Sequence, residues 1–504
     1  MHLHSLACSL LFIAGTHASA LRSRAQADTG RTKNLLTVFP GQGPMPALAD
    51  VVDLNSTLRD FLPLQNIQAD IFVGMKKSLE LFYFFQINDA AGFKVGLKKA
   101  VPLVCSTLQI ISPPEKQPLA LLNIAFSQSG LTTLGITDDL GDAQFADGQW
   151  ADAANLNDDT TGWEDVWKGT GIHGVFLMAS DQQSYITNMT STVESYFDGA
   201  ITLLTSVQGS ARPGSEAGHE HFGFLDGISN PAVEGFSTST LPGQAVVPNG
   251  IILTNRDGDT GVRPSSNWTL DGSFLVFRKL KQLVPEFNAY LTANAVQNAA
   301  GNLTVQEGAD LLGARMVGRW KSGAPVDLSP TADDPVLGGD SQRNNNFNYT
   351  HPDSLIASDQ SYCPFSAHIR KSRPRADLGA VDTTNMGFRA GIPFGPEVTT
   401  AESDSGTTTE ERGLAFVEYQ SVIANGFRFQ QTAWMDNSAF PVKNETVGFD
   451  PIMGQVGGGA DKTTYGADPR DASRAFTIPE FIKPLGGEYF FSPSIPALLN
   501  KIAA

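Results

Sequence analysis

Short apolar runs that alternate with longer stretches of wider apolar spacing are the feature that most constrains how this chain can fold. Residues 81–87 (LFYFFQI) are rich in aromatic side chains and predict a strand buried on both faces. Further strands are expected over residues 120–126 and 172–178, and helices over residues 90–108 and 182–204. The order strand, helix, strand, strand, helix indicates an α+β unit of ferredoxin-like type.

The second half of the chain repeats this alternation. Residues 274–277 predict a strand, residues 283–296 a helix, and residues 414–419 a later strand. Between them, residues 323–365 are rich in Gly, Pro and Asn and show little periodicity, which is typical of a functional wall or lid. We therefore predict an α+β fold of two ferredoxin-like halves with antiparallel sheets, and a ligand beside the C-terminal half.

The N-terminal residues predict export. The apolar run over residues 6–15 is too short to span a bilayer, and Ala18-Ser19-Ala20 supplies the small-x-small pattern of a signal cleavage site. We assign residues 1–20 to a signal peptide and the Pro/Gly-containing residues 21–60 to a propeptide. The two predicted domains that follow are an N-terminal one over residues 61–245 and a C-terminal one over residues 246–504.

Asparagine sequons and cysteine usage fit the same secreted, extracellular location. Six Asn-x-Ser/Thr triplets are typical of a secreted glycoprotein. They are Asn55, Asn188, Asn267, Asn302, Asn348 and Asn444. Only Cys105 and Cys363 remain after signal removal, and we expect both to be free, buried thiols because a core of this size needs no disulfide.

The charge balance excludes two classes of partner. The chain carries 35 basic and 52 acidic residues, a net charge of −17. Such an acidic surface repels nucleic acid and anionic lipid, and no segment approaches the roughly 18 consecutive apolar residues of a membrane span. We therefore expect neither nucleic acid nor a membrane as a partner.

Three segments carry the candidate chemistry, and each has a structural alternative. Asp226 in EHFGFLDGISNP either directs its carboxylate into an apolar pocket or forms an Asx-turn. His368 in CPFSAHIRK either binds iron through one ring nitrogen, with a carboxylate on the other, or is a hydrogen-bonded core histidine. Arg389 in GFRAGIPFG lies in a turn that does not resemble a solvated face, so a structural ion pair is its alternative.

These three segments together resemble the signature of the dye-decolorizing peroxidases, and their order and spacing are similar to those of the fungal members. Further matching text includes LQNIQ at residues 64–68, VGRWKSG at residues 317–323 and RGLAF at residues 412–416. The resemblance runs from about residue 62 to the end of the chain. It implies a secreted enzyme, a peroxidase with one haem b per chain, which uses hydrogen peroxide to oxidise dyes, phenols and other aromatic substrates, small or polymeric.

The same resemblance implies roles for the three candidate residues. His368 corresponds to the iron ligand, and Asp450 is the candidate carboxylate on its other nitrogen, with a turn-forming Asp before Pro as the alternative. Asp226 corresponds to the acid–base that moves a proton between the two peroxide oxygens. Arg389 corresponds to the positive charge beside the breaking O–O bond. A monomer or weak dimer is expected.

More distant positions are carried over from the resemblance as well. Leu414 and Phe416 match apolar residues that narrow the distal pocket, and Arg370 matches a partner for a haem propionate. Trp434 matches a surface aromatic residue that passes electrons from bulky dyes as a radical, with an ordinary packed tryptophan as the alternative. Phe394 departs from the pattern, because several fungal relatives have a more easily oxidised tyrosine there.

Two other functions remain open at this point. The first is preferential oxidation of Mn²⁺ at a surface cluster of acidic residues, for which many acids are available. The second is haem binding without turnover. The presence of both Asp226 and Arg389 argues against a carrier, which needs neither residue.

Overall fold

The computed structural model describes residues 62–113, 116–237, 239–351, 360–441 and 446–504. The strands are β1 Leu79–Ile87, β2 Leu121–Phe126, β3 Gly174–Ser180, β4 Ile201–Ser210, β5 Ala232–Val233, β6 Val246–Val247, β7 Ser273–Gln282, β8 Phe388–Arg389, β9 Ile392–Phe394, β10 Gly413–Gln420, β11 Lys462–Thr464, β12 Phe476–Ile478 and β13 Ile482–Ser492. The main helices are Ala90–Ala100, Gln183–Tyr196, Val284–Ala293 and Val305–Val317.

Shorter helices connect these elements. The short α-helices are Asp70–Val73, Thr107–Ile110, Gln128–Thr133, Ala143–Asp147, Gln149–Asp152, Pro335–Gly339, His368–Ser372, Thr400–Ser405, Phe427–Phe429 and Ile495–Ala497. Single turns of π-helix occupy Gln430–Met435 and Leu498–Ile502. The α-helix His368–Ser372 and the π-helical turn Gln430–Met435 carry residues of the candidate site.

The N-terminal half has the predicted ferredoxin-like arrangement. Its strands lie in the order β2-β3-β1-β4, all antiparallel, with helices Ala90–Ala100 and Gln183–Tyr196 following β1 and β3. The Asp89 side chain accepts the Ala91 N–H and so begins the first of these helices directly after β1.

The C-terminal half repeats the arrangement and closes the sheet. Its strands lie in the order β13-β7-β10, with β8 and β9 both paired to the free edge of β10. The two halves join where Phe126 of β2 pairs with Phe491 of β13, and where Gly209 of β4 pairs with Phe394 of β9. A Cβ atom at Gly209 would lie 2.3 Å from Ile392 Cγ2, so only glycine allows β4 and β9 to approach this closely.

Alternate side chains of β1 enter two different cores because successive side chains of a strand point to opposite faces. Phe84 lies inside the ring of strands, with its ring 4.8 Å from that of Phe277. Phe85 faces outward, where it stacks on Phe93 of helix Ala90–Ala100 at 5.6 Å. Burial of each such ring contributes about 1.5–3 kcal/mol of transfer free energy. The prediction of a strand buried on both faces is confirmed.

The predicted helices were too long at two places. The helix expected over residues 90–108 ends at Ala100, because Pro102 breaks it and Ser106 caps a separate helix, Thr107–Ile110. The helix expected over residues 182–204 ends at Tyr196. Gly199, with φ of +72°, then reverses the chain into β4, which the apolar spacing had assigned to the helix.

The structure also contains elements that were not predicted from the sequence, and it bears on further expectations. Helix Val305–Val317, β9 and β13 were not predicted. Cys105 and Cys363 are free and buried, as expected. No helix among the described residues is long and apolar enough to cross a membrane. The division at residues 245 and 246 stays a prediction.

The predicted signal peptide, the predicted propeptide and two sequons, Asn55 and Asn444, lie outside the described residues. The other four sequon asparagines have exposed side chains. They are Asn188, Asn267, Asn302 and Asn348.

A buried acid on β13 ties the stability of this fold to pH. Glu488 is 4% exposed, and its Oε1 accepts the N–H groups of Gln149 and Tyr489 at 2.9 and 2.7 Å. Burial raises the pKa of Glu488 to about 7, although both hydrogen bonds oppose the shift. Because the folded-state pKa exceeds the unfolded one, its stability contribution is present below the unfolded pKa and is lost as the pH rises towards 7.

We expect Glu488→Gln to stabilise the protein at pH 8 and to leave it nearly unchanged at pH 5. The amide cannot ionise, while its oxygen can still accept both N–H groups. The gain at pH 8 is at most about 3 kcal/mol in the free energy of unfolding. Calorimetric unfolding of both proteins at the two pH values measures it, and an effect that does not change with pH would contradict the assignment.

Candidate active site

Asp226 is held in a tight turn by contacts on both sides. Its N–H donates to the Gly218 carbonyl at 3.0 Å, and the preceding Leu225 N–H donates to the Lys321 carbonyl at 3.2 Å. The Asp226 Oδ1 atom accepts the Gly227 N–H at 2.6 Å, and Gly227 has a positive φ of 81°. The Asp226 side chain thus binds the N–H of the next residue rather than that of the residue two positions on, as an Asx-turn would, and this bond helps to orient the carboxylate.

Arg389 on β8 completes the pair. Its Nη1 donates to Asp226 Oδ1 at 2.9 Å. The Asn230 side chain binds the Arg389 backbone twice, since Nδ2 donates to the Arg389 carbonyl at 2.8 Å and Oδ1 accepts its N–H at 3.1 Å. The buried Lys77 ammonium contacts the next carbonyl, that of Ala390, at 3.4 Å. The structure thus brings together residues that are 163 positions apart in the chain.

The ion pair keeps Asp226 ionised. Burial alone would raise the pKa of Asp226, but the charge of Arg389 and the hydrogen bonds from Gly227 and Arg389 hold it below its usual value. Burial alone would lower the pKa of Arg389, but the charge and the hydrogen bond of Asp226 outweigh this effect, so the pKa of Arg389 is raised. Asp226 is therefore a carboxylate, able to accept a proton, over most of the pH range.

Both side chains line an internal cavity. Desolvation by burial is the largest influence on the pKa of each, yet the Asp226 and Arg389 side chains keep 40% and 36% of their surface uncovered. Deep side chains with this much free surface border open space inside the protein. The charge of His368 also contributes to lowering the pKa of Asp226, so the histidine is close to the same space.

His368 is prepared as a ligand by Asp450. The His368 Nδ1 atom lies 2.8 Å from Asp450 Oδ2, and the Asp450 side chain is fully buried. Burial alone would raise the pKa of Asp450, but the charge and hydrogen bond of His368 hold it low, so the carboxylate is ionised and Nδ1 donates. In the neutral imidazole this bond places the proton on Nδ1 and leaves the lone pair on Nε2. This is the orientation in which a histidine binds iron.

Asp450 satisfies both of its predicted interpretations. Its Oδ1 atom accepts the N–H groups of Ile452 at 2.7 Å and Met453 at 3.0 Å, which is the turn contact, while Oδ2 binds His368. Two backbone donors on one oxygen fix the direction of the other. The ring of His368 is consequently held in one orientation.

The residues present fit a haem. His368 has Nε2 free of Asp450 and acts electrostatically on Asp226, which is ionised and paired with the cationic Arg389. Leu414 and Phe416 on β10 are half-buried on the face of the sheet that carries Arg389. His368 would hold the iron. Among the residues that the structure describes, no group of three or more His, Cys, Asp or Glu side chains is placed to hold a separate metal ion.

The pairing of Arg370 with a haem propionate stays a prediction, and the structure shows protein partners for its guanidinium. Its guanidinium makes two hydrogen bonds to Asp377, at 2.7 and 2.9 Å, and one to the Cys363 carbonyl at 2.6 Å. The Tyr349 and Phe365 rings lie 4.5 and 4.1 Å from it. With only 2% of its side chain exposed, Arg370 anchors the segment around His368.

Trp434 lies beneath the surface rather than on it. It is 3% exposed, stacks on Phe440 at 5.4 Å with an interplanar angle of 8°, and meets the edge of the partly exposed Phe429 at 5.5 Å. The next residue, Met435, accepts the Asp450 N–H at 3.0 Å through its carbonyl. Trp434 is thus linked through one peptide unit and one hydrogen bond to the residue that orients His368.

Two residues of the site were missed from the sequence. Asn230 was part of a recognised segment, but only the fold shows that its side chain holds the Arg389 backbone. Glu418 lies opposite Arg389 in the β8–β10 pairing, and the alternation of β10 places it on the face of Leu414 and Phe416. An acid in an otherwise apolar strand was the signal available for Glu418.

Comparison with known proteins agrees with this site. The family model of the DyP dimeric alpha+beta barrel domain matches residues 66–213. The chain is 50% identical over 512 residues to the dye-decolorizing peroxidase AauDyP1 of Auricularia auricula-judae, covering 100% of this chain and 98% of that one. It is 52% identical over 445 residues to a dye-decolorizing peroxidase of Exidia glandulosa, with 88% of each chain covered.

Solved structures show the same likeness. A dye-decolorizing peroxidase in complex with 2,6-dimethoxyphenol superposes with a TM-score of 0.85 at 58% identity, covering 88% of this chain and 100% of that one. A fungal DyP-type peroxidase from Auricularia auricula-judae superposes with a TM-score of 0.84 at 52% identity, covering 88% and 99%. On full-length identity and common fold together, the chain belongs to the dye-decolorizing peroxidases, a family of haem-dependent enzymes.

Proposed function

We propose that this enzyme is a secreted peroxidase that binds one haem b and uses hydrogen peroxide to oxidise dyes, phenols and related aromatic compounds. The observation that carries the proposal is the Asp226–Arg389 ion pair, 2.9 Å long, together with the 2.8 Å hydrogen bond from His368 Nδ1 to Asp450, which leaves Nε2 for iron. The similar structure that contains 2,6-dimethoxyphenol supports a phenolic substrate class. A haem assay of the purified protein tests the cofactor and its stoichiometry.

Asp226 acts as the base and then as the acid. When bound, the haem supplies the iron that accepts two oxidising equivalents from peroxide. The Asp226 Oδ1 atom is occupied by Gly227 and Arg389, so Oδ2 is the atom that receives a proton from the inner peroxide oxygen. The same atom returns this proton to the outer oxygen, which leaves as water.

Arg389 and His368 support that proton transfer in different ways. The guanidinium of Arg389 is always charged and is fixed by Asn230, so it stabilises the negative charge that develops as the O–O bond breaks. The ionised Asp450 draws on the Nδ1 proton of His368 and makes Nε2 a stronger donor to the metal. Each residue is held in place before peroxide enters, and no reorganisation is needed.

Bulky substrates are oxidised by a second route in this proposal. Leu414 and Phe416 narrow the space beside Arg389, which excludes a large dye. Trp434 then supplies electrons from below the surface, through Met435 and Asp450 towards His368. The exposed part of Phe429 covers its edge, so a dye would bind over these rings rather than directly on the indole.

Export is proposed on separate grounds. The leader has the features of a signal peptide, and the four described sequon asparagines are all exposed, as glycan attachment requires. A monomer or weak dimer is the assembly that we propose. N-terminal sequencing and glycosidase treatment of the exported protein test cleavage and glycosylation, and an intact leader would contradict them.

We expect Asp226→Asn to slow the reaction with peroxide by about 10²–10⁴-fold, because the amide cannot accept the proton. The wild type should retain its rate at acidic pH, since the pKa of Asp226 is held below its usual range. Stopped-flow absorption from pH 3 to pH 9 measures both. Asp159→Asn is the matched control, because Asp159 also accepts a backbone N–H in a turn, that of Thr161. Full reactivity of Asp226→Asn would show that another group is the base.

We expect Trp434→Phe to lower turnover of a bulky dye by about tenfold or more, while oxidation of 2,6-dimethoxyphenol and the reaction with peroxide stay within about twofold. The physical reason is that phenylalanine is far harder to oxidise than tryptophan. Trp163→Phe is the control, because Trp163 is equally buried, at 2% exposed, and packs against Trp150. Equal losses for dye and phenol would show a general defect and refute a separate route.

A further inference from the structure

A second carboxyl group lies beside the Asp226–Arg389 pair. Glu418 on β10 is directly opposite Arg389 on β8, and opposite residues of antiparallel strands point to the same face. It is two positions from Phe416 and four from Leu414, which also places it on the face that borders the cavity. The proton transfer by Asp226 and Arg389 does not use this residue.

Glu418 is buried without the contacts that normally accompany a buried acid. It is 3% exposed, and its Oε1 atom has no hydrogen-bond partner in the described part of the chain. By contrast, the buried Glu402 binds Arg412 through both oxygens, and Glu488 accepts two backbone N–H groups. An acid kept only for stability would be expected to resemble these two.

The backbone makes room for this carboxyl. A Cβ atom at Gly387 would lie 1.9 Å from Glu418 Oε1, so the carboxyl packs directly against a glycine two positions before Arg389. Its opposite neighbour on β7 is the apolar Val276. On its own strand, that face continues with the apolar Phe416 and the neutral Gln420. Two charged side chains share this face: Arg389, directly opposite, and Arg278 of β7, which is opposite Phe416 and paired with Asp158. Arg389 is the charge that acts on the pKa of Glu418.

The surroundings decide the protonation state of Glu418. Burial raises the pKa of Glu418 to about 7, and the charge of Arg389 only partly opposes this. At acidic pH the group is a neutral acid. As the pH rises through about 7 it becomes a carboxylate that competes with Asp226 for the same guanidinium.

We propose that Glu418 is a positioning residue of the peroxide site that acts through Arg389. Protonated, it leaves the guanidinium paired with Asp226; ionised, it draws the guanidinium towards β10 and away from the peroxide oxygens. The inference rests on the proposed peroxidase function and adds a device to it. Protonation of Asp226 sets the lower pH limit of the reaction with peroxide, and ionisation of Glu418 sets the upper limit.

Glu418→Gln tests this role, because the amide is similar in shape and neutral at every pH. In the wild type, the stopped-flow rate of the peroxide reaction should fall as the pH rises above about 7. In Glu418→Gln the rate should stay high, about fivefold or more above wild type at pH 8 and within about twofold of it at pH 5. Superimposable profiles for the two proteins would overturn the proposal.

Glu488→Gln is the matched control. Glu488 is another buried glutamate of the same sheet, its pKa is also raised to about 7, and backbone groups rather than Arg389 bind it. Its variant should keep the wild-type pH profile. If the rate of both variants stays high above about pH 7, the effect is one of fold stability and the assignment to Glu418 fails.

Infrared spectroscopy gives a readout that does not depend on turnover. A protonated buried carboxyl has a carbonyl stretch above the amide band, and we expect Glu418 and Glu488 each to lose such a signal between pH 5 and pH 9 in the wild type. The Glu418 component should be absent from Glu418→Gln and present in Glu488→Gln. Absence of any Glu418-dependent signal would overturn the proposal. A wild type that does not react with peroxide at any pH would instead overturn the proposed function on which it rests.

Discussion

Two hydrogen bonds between the Asn230 side chain and the Arg389 backbone hold the active site together. Asn230 follows the Asp226 turn, whereas Arg389 is on β8 at the edge of the C-terminal half, 159 positions later in the chain. The Asn230 amide both donates and accepts a hydrogen bond, so it fixes the position and the direction of β8 relative to the turn. The ion pair between Asp226 and Arg389 then forms without further adjustment, and an arginine that is always charged is available before peroxide arrives.

The two sides of the cavity depend on the same principle, which is a buried carboxylate kept ionised by a specific partner. Asp226 is stabilised by Arg389 and Gly227, and Asp450 by His368 and two backbone N–H groups. The partners differ, and so do the consequences. Asp226 keeps one oxygen available to move a proton, whereas both oxygens of Asp450 are bound and it serves only to orient the imidazole.

The candidate residues that lie in short, recognisable segments could be predicted from the sequence. Contacts between residues far apart in the chain could not. The Asp226, His368 and Arg389 segments each carry their own turn or helix start, so the pattern was recognisable, and the aromatic run of β1 predicted its strand. The contacts of the Arg370 guanidinium with Asp377 and two rings were not predicted. Trp434 is covered by Phe440, and Glu418 gains its meaning only from strand pairing. No local pattern reports such contacts.

The central claim is that His368 holds a haem whose other side is served by Asp226 and Arg389. The absorption spectrum of the haem-loaded protein, recorded before and after one equivalent of hydrogen peroxide, tests it most directly. The account predicts a Soret band that shifts on adding peroxide and returns when a phenol or dye is added. No Soret band would contradict His368 as the ligand. A band that does not respond to peroxide would contradict the role of Asp226 and Arg389 and leave a protein that binds haem without turnover.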